Sequence, residues 1–420
     1  MKIFLDPQIF YSQKFGGISR IFAEFWSRCN ERDDIEIICP LFYSENLHLR
    51  EYNLQPKRFT FLFDKNYPSK KYINAILKRI NRQKTYLYLR KNNFDLFVCT
   101  YFNPYFLNRL HNKPFVLTVF DMIYEIFPAY FPGEETLKAN KKLLCEKSNR
   151  IIAISASTKK DIIHFYPGVA DEKIKVIHLS QSINTNETAT LNWLPEKYIL
   201  FIGKRELYKQ FDTLLKAMIP VFAIDANIKI VCAGGGSLTV AETENLKSLH
   251  LTDKIIQKSF YDNELNTIYK KAAAFVFPSE YEGFGIPALE AMACGCPVIL
   301  SNTSSLPEIA GDAALYFEPN DTTALSEAII KILNDRNLKD ALIKKGYQQV
   351  EKFSWDKMTD EYLETAMTSG WHLRPVRCFW LCGYPARLPC GLEGFFFCFL
   401  LLCWLQMALQ SQACALCHLS

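Results

Sequence analysis

Two series of short apolar runs, each spaced from the next by enough chain for a helix, constrain this sequence more than any other feature. The first series is Ile3–Leu5, Ile35–Cys39, Leu96–Cys99, Phe115–Val119 and Ile151–Ile154. The second restarts after Asn192 with Tyr198–Ile202, Ile228–Cys232, Ala274–Phe277 and Val298–Leu300. Strand and helix alternating in this way argue for doubly wound α/β structure, here twice over, and a chain of 420 residues is long enough for two such domains. Between the series, residues 180 to 192 are rich in Ser, Asn and Thr with little apolar periodicity, which reads as an interdomain linker with a cleft beside it. The expected organisation is a domain over 1–185, a second over 193–353, a terminal helix over 354–366 packing back on the first domain, and a tail over 367–420.

Within the second series lies Glu282-Gly-Phe-Gly-Ile-Pro-Ala-Leu-Glu290. The run Ala274 to Pro278 before it reads as a strand, Pro287 suits the first turn of a helix, and Val298–Leu300 reads as the next parallel strand. Glu282 then falls in the loop at a strand's carboxyl end, where open parallel sheets bind ligands, and Glu290 falls about one turn into the helix. Gly283 and Gly285 suit a tight turn or close approach to a ligand, and the helix start offers unpaired N–H groups to an anion. Two acids flanking an anion site suit neutral hydroxyls, such as a sugar ring and a ribose on either side of a diphosphate.

This segment resembles the Glu-x7-Glu motif of the retaining glycosyltransferases with the GT-B fold, family 4 in particular, of the bacterial polysaccharide or lipopolysaccharide type. The resemblance extends through Lys197–Phe201, Gly203–Phe211, Ala233–Gly236 and Ser301–Pro319, and covers roughly residues 1 to 366. It implies two Rossmann-like domains facing a cleft, and transfer of a hexose from a UDP- or GDP-sugar to a saccharide or lipid-linked saccharide acceptor. It also implies that Glu282 contacts the donor sugar, that Glu290 holds the ribose, and that Gly283, Phe284 and Gly285 line the donor site.

A basic loop follows the strand Tyr198–Ile202, and cations at that edge can meet a diphosphate. The resembling family neutralises the leaving diphosphate with an Arg and a Lys at this place, which makes Arg205 and Lys209 the candidates, with Lys204 as a rival. In the first domain Gly16-Gly17 precedes an apparent helix, Ile21–Cys29, and Gly17 matches the donor-facing glycine loop of the resembling family. The strand Phe115–Val119 leads to Phe120-Asp121. The family commonly places His where Phe120 stands, so Asp121 is left to orient an acceptor hydroxyl. Ser155 and Ser157 suit a helix cap, Gly234 to Gly236 look like a turn beside the nucleotide, and Phe260 and Tyr261 fall where the resembling family places residues near the base, with a core role as the alternative.

No Asp-x-Asp and no metal-ligand spacing occurs in the two domains, so a metal-independent diphosphate site is expected, served by preorganised cations and helix N-termini. No other cofactor is expected. Two alternatives from other classes are a nucleotide-sugar-binding protein without transferase activity and a GT-B epimerase. The net charge of +5 is too mild for a nucleic-acid binder. Residues 69 to 93 carry eight Lys or Arg and no acid, with Ile73, Ile76, Leu77, Ile80 and Leu87 at helical spacing. That reads as an amphipathic basic helix with one face on the first domain, or as a contact with an anionic membrane. The first residues lack a signal-peptide core, so a cytoplasmic protein, working at the inner face of the cell membrane, is expected. Seven of the fourteen cysteines are scattered before residue 300 and read as reduced core residues; the other seven lie in the atypical tail after 377. Cys414, Cys417 and His418 match a haem-attachment spacing by chance.

Overall fold

A computed structural model of the chain describes residues 1–56, 70–186, 188–205 and 207–368. They fall within one compact unit, Met1–Trp371. The tail expected over 367–420 lies outside the described residues from 369 onward, as do 57–69.

The first half is a six-stranded parallel sheet of β1 (Lys2–Leu5), β2 (Glu36–Ile38), β3 (Leu96–Cys99), β4 (Phe115–Val119), β5 (Arg150–Ala153) and β6 (Ile174–Val176), in the order β2-β1-β3-β4-β5-β6. The second is built from β7 (Tyr198–Ile202), β8 (Lys229–Ala233), β9 (Ile255–Lys258), β10 (Ala274–Phe277), β11 (Val298–Ser301) and β12 (Ala314–Phe317), in the order β12-β11-β10-β7-β8-β9. All pairings are parallel. The apolar runs of the sequence form nine of these strands: the eight central ones, which are buried on both faces, and the edge strand β2. Phe97, Val98, Ile199, Leu200, Phe275 and Val276 are all fully buried.

Strand order reverses between β1 and β3 in the first sheet, and between β7 and β10 in the second. Successive helices leave to opposite faces at such a point, opening a crevice outside the strands' carboxyl ends. The loops after β7 and β10 therefore meet. Each half carries its own core, but Phe284, Leu289 and Ile309 of the second half join the apolar cluster of the first. The helix Trp355–Met367 also packs on the first half: Tyr362 lies 4.7 Å from Phe25 ring to ring, and its hydroxyl is 3.2 Å from that of Thr118.

The basic helix spans Lys70–Lys91, but its buried stripe differs from the expected one. Leu77, Asn81, Thr85 and Leu89 face inward, whereas Ile76 and Leu87 are 42% and 59% exposed. Asn81 explains the rotation. Its side chain accepts from the N–H groups of Phe42 and Tyr43 at 2.7 and 3.1 Å and donates to the Tyr43 carbonyl at 2.7 Å, so a polar residue takes a core position. The seven described cysteines are free. Burial pushes the thiols of Cys29, Cys145, Cys232 and Cys294 up to about 12, which leaves them inert.

Candidate active site

The loop after β10 is held by hydroxyls at the end of β11. Ser304 Oγ accepts from the Glu282 N–H at 2.9 Å, and Ser305 Oγ lies 2.8 Å from the carbonyls of both Glu282 and Phe284. Thr303 donates to the Glu280 carbonyl at 3.2 Å. Short side chains thus satisfy a backbone that has no strand partner. Gly285, at φ +107°, then turns the chain into the helix Ile286–Ala293, with Pro287 in the first turn. Adding a Cβ to Gly283 would bring it within 1.9 Å of the Phe120 carbonyl, so this glycine admits the backbone of the opposite half.

The switch point brings two sequence-distant groups together. Lys209 Nζ lies 2.5 Å from Glu282 Oε1, and both side chains are largely buried. Lys209 also sits over the rings of Tyr208 and Phe277, at 4.9 and 5.3 Å. The Tyr208 carbonyl accepts from the Glu280 N–H at 2.8 Å, which joins the two loops. Glu290 lies on the inner face of its helix, where Tyr269 Oη donates to it at 3.0 Å.

Arg205 is placed differently from the sequence expectation. Its side chain is only 2% exposed and its Nε lies 2.6 Å from Glu242 Oε1. The remaining guanidinium nitrogens reach the carbonyls of Gly234, Gly236 and Ser237 at 3.4, 3.0 and 3.1 Å. Burial raises the Glu242 carboxyl, but Arg205 and the Thr239 cap outweigh it and the net direction is down. Arg205 thus fastens the turn Gly234–Gly236, whose three glycines all have positive φ. Lys204, the rival candidate, lines the cleft with Lys209.

On the opposite wall Phe120 is buried and packs edge-on against Phe22 at 6.0 Å. Asp121 lines the cleft; its carboxylate accepts from the Ile123 N–H at 3.1 Å and its carbonyl accepts from Lys141 Nζ at 3.1 Å. Gly17 heads the helix Gly17–Asn30 and lines the same cleft. Ser155 caps the helix Ala156–Phe165. The N–H of Ser157 bonds to Glu308 at 3.3 Å. Phe260 lines the cleft, whereas Tyr261 is 79% exposed and does not.

Sequence reasoning missed several groups around the site. Lys141 is fully buried, 2.8 Å from Glu125, and lies over the rings of Phe102 and Tyr124. Glu308 accepts from the N–H groups of Ala156 and Ser157 and lies 2.6 Å from His178 Nε2. Burial raises its carboxyl, but these partners outweigh it and bring it below the usual range. The partners of Glu308 lie more than a hundred residues away, so no spacing announces them. Among the described residues no group of three or more His, Cys, Asp or Glu could hold a metal ion.

The cleft encloses about 810 Å³, within the size range of small-molecule sites, and is lined from both halves. Two parallel doubly wound halves around such a cleft, with the loops of the second switch point at its wall, define a GT-B glycosyltransferase. Residues 15–180 match the sequence model described as Glycosyltransferase Family 4, and residues 184–349 match that of Glycosyl transferases group 1. The chain belongs to this family of glycosyltransferases. O-antigen chain mannosyltransferase B of Escherichia coli is 30% identical over 274 residues, 62% of this chain and 71% of that protein. O-antigen chain mannosyltransferase RfbU of Salmonella typhimurium is 31% identical over 255 residues, 59% and 69% of the two chains. Sucrose-phosphate synthase from Thermosynechococcus elongatus shares the fold at a TM-score of 0.64 and 19% identity, over 87% of this chain and 98% of its own. Anabaena HepE, crystallised with UDP-glucose, shares it at 0.64 and 16%, over 87% and 99%.

Proposed function

We propose that this cleft takes a nucleotide diphosphate sugar and transfers its hexose, with retention of anomeric configuration and without a metal ion, to a saccharide or lipid-linked saccharide acceptor. The observation that carries this is the convergence of Lys209, Lys204, Glu282 and Glu290 on one cleft at the β7/β10 switch point. A diphosphate suits the lysines, while the carboxylates suit hydroxyls of the sugar and ribose. The mannosyltransferase relatives make mannose the first hexose to test.

In this reading the bond between the sugar's anomeric carbon and the diphosphate oxygen breaks as the acceptor oxygen bonds to that carbon on the same face. The acceptor's proton passes to the departing phosphate oxygen. Lys209 and Lys204 stabilise the charge that develops there, held in place before the reaction. Glu282 bonds the sugar's hydroxyls and Asp121 orients the acceptor. Closure of the two halves keeps water from competing with it.

Nucleotide sugars screened for thermal stabilisation identify the donor, since a ligand that binds the native state raises its apparent stability. Transfer from that donor by the wild type and Glu282→Gln then tests the site. Phe120 favours one second reading, a protein that binds the donor without transferring it; saturable donor binding with no transfer to any acceptor would establish that instead.

The helix Lys70–Lys91 is proposed to rest on an anionic membrane, bringing a lipid-linked acceptor to the cleft. Tyr72, Ile76 and Leu87 are exposed on it among Lys78, Arg79, Arg90 and Lys91. Co-sedimentation with phosphatidylglycerol vesicles, weakened by salt and by Ile76→Ser with Leu87→Ser, is expected. Equal binding to phosphatidylcholine would contradict it.

A further inference from the structure

Glu282 is flanked on both sides by residues bonded to the opposite half. Before it, the buried hydroxyl of Tyr281 accepts from the Met122 N–H at 3.1 Å and donates to Asp161 Oδ2 at 2.8 Å. After it, the Gly283 carbonyl accepts from the hydroxyls of Ser155 and Thr158 at 2.8 and 3.3 Å. Phe120 presses its carbonyl where a side chain of residue 283 would be. The backbone of Glu282 itself is returned to its own half through Ser304 and Ser305. This three-residue stretch therefore bridges the halves, with the carboxylate at its centre.

Packing alone would not require the phenol oxygen. The Tyr281 ring already has an apolar partner in Phe127, edge-on at 6.5 Å, and Phe would serve that contact equally well. Burial pushes the phenol's pKa up, which keeps it a protonated donor toward Asp161. A buried hydroxyl satisfied on both sides is one whose bonds are lost when the halves separate.

We propose that Tyr281 is a positioning residue for glycosyl transfer: docked between Met122 N–H and Asp161, it makes closure of the cleft the step that sets the Glu282 carboxylate against the donor sugar. With the halves apart, Tyr281 and Gly283 lose these partners and the carboxylate between them loses its fixed place. The device ties catalytic competence to the closed, water-poor state. The inference rests on the reading of Glu282 given above, and its test separates the two.

The test is a double-mutant cycle on the full chain, with Tyr281→Phe, Glu282→Gln and both together. Tyr281→Phe is expected to lower kcat about tenfold while the donor KM moves less than about twofold. In the Glu282→Gln background the same change is expected to cost less than about twofold, because its effect passes through the missing carboxylate. Asp161→Ala removes the other end of the bond from a half-buried helix position and is expected to lower kcat in the same sense, which keeps the test open if Tyr281→Phe folds poorly. Equal losses in both backgrounds, or an unchanged kcat in Tyr281→Phe and Asp161→Ala, would overturn the proposal and leave the Glu282 reading standing. Undiminished transfer by Glu282→Gln alone would remove both.

Discussion

The two sheets reverse their strand order once each, and the acids at the two switch points are put to opposite uses. Between β1 and β3, Asp6 is fully buried; its Oδ1 accepts from the Tyr105 hydroxyl at 2.5 Å and the Gln8 N–H at 3.1 Å, and its carbonyl accepts from Thr100 Oγ1 at 3.1 Å. Asp6 does not line the cleft, which the same connection reaches only further on, at Gln13 and Phe15 to Gly17. Between β7 and β10 the corresponding loops bring Lys209 and Glu282 to the cleft wall. A crevice at a switch point is thus an opportunity that topology supplies and side chains accept or close. The same contrast recurs within one loop, where Arg205 is turned into structure and Lys209 lines the cleft.

The largest separation between structure and chemistry is expected from Arg205 and Lys209. Arg205→Met strands Glu242 and frees the Gly234–Gly236 turn, so it is expected to cost about 3 kcal/mol in chemical denaturation. Lys209→Met unpairs Glu282, which faces the cleft, so it is expected to cost less in denaturation than Arg205→Met while lowering transfer about thirtyfold. A stable Arg205→Met variant that loses transfer as Lys209→Met does would return Arg205 to the leaving-group role that the family resemblance implies.

A smaller effect is expected at Asp6. Burial, working against the bonds from Tyr105, Gln8 and Thr100, raises the Asp6 carboxyl to about 7. A carboxyl raised by folding holds its proton more tightly in the native state, so its contribution to stability is lost as pH rises from about 4 through about 7. Asp6→Asn removes that titration. Its melting temperature relative to the wild type should climb across this window and level off above it. A pH-independent difference would show that Asp6 ionises freely in the folded chain.

The sequence made central strands legible because burial on both faces leaves only apolar residues, as in Leu96–Cys99 and Tyr198–Ile202. It hid β6, β9 and β12 for the complementary reason. These are Ile174–Val176, Ile255–Lys258 and Ala314–Phe317. The first two lie at sheet edges, where one side meets water, and admit Lys175, Gln257 and Lys258; β12, another edge strand, carries the partly exposed Leu315 and Tyr316. The basic helix was read in type but not in facing, because Asn81 took a core position on the strength of three hydrogen bonds. At the site, Glu282 and Glu290 were legible since glycines and a proline mark the turn between them. Arg205 could not be told from Lys209, because which cation turns inward depends on Glu242, thirty-seven residues on. The groups that fix the loop from across the cleft, Tyr281 with Asp161 and Gly283 with Ser155, are joined only by the fold.

The central claim is that Glu282 acts on a bound nucleotide sugar in the cleft between the halves. Calorimetric titration of the identified UDP- or GDP-sugar, run beside a transfer assay on the wild type and Glu282→Gln, tests it most directly. Donor affinity within about tenfold of wild type and transfer reduced at least about a hundredfold is the expected result. Transfer by Glu282→Gln at the wild-type rate would contradict it.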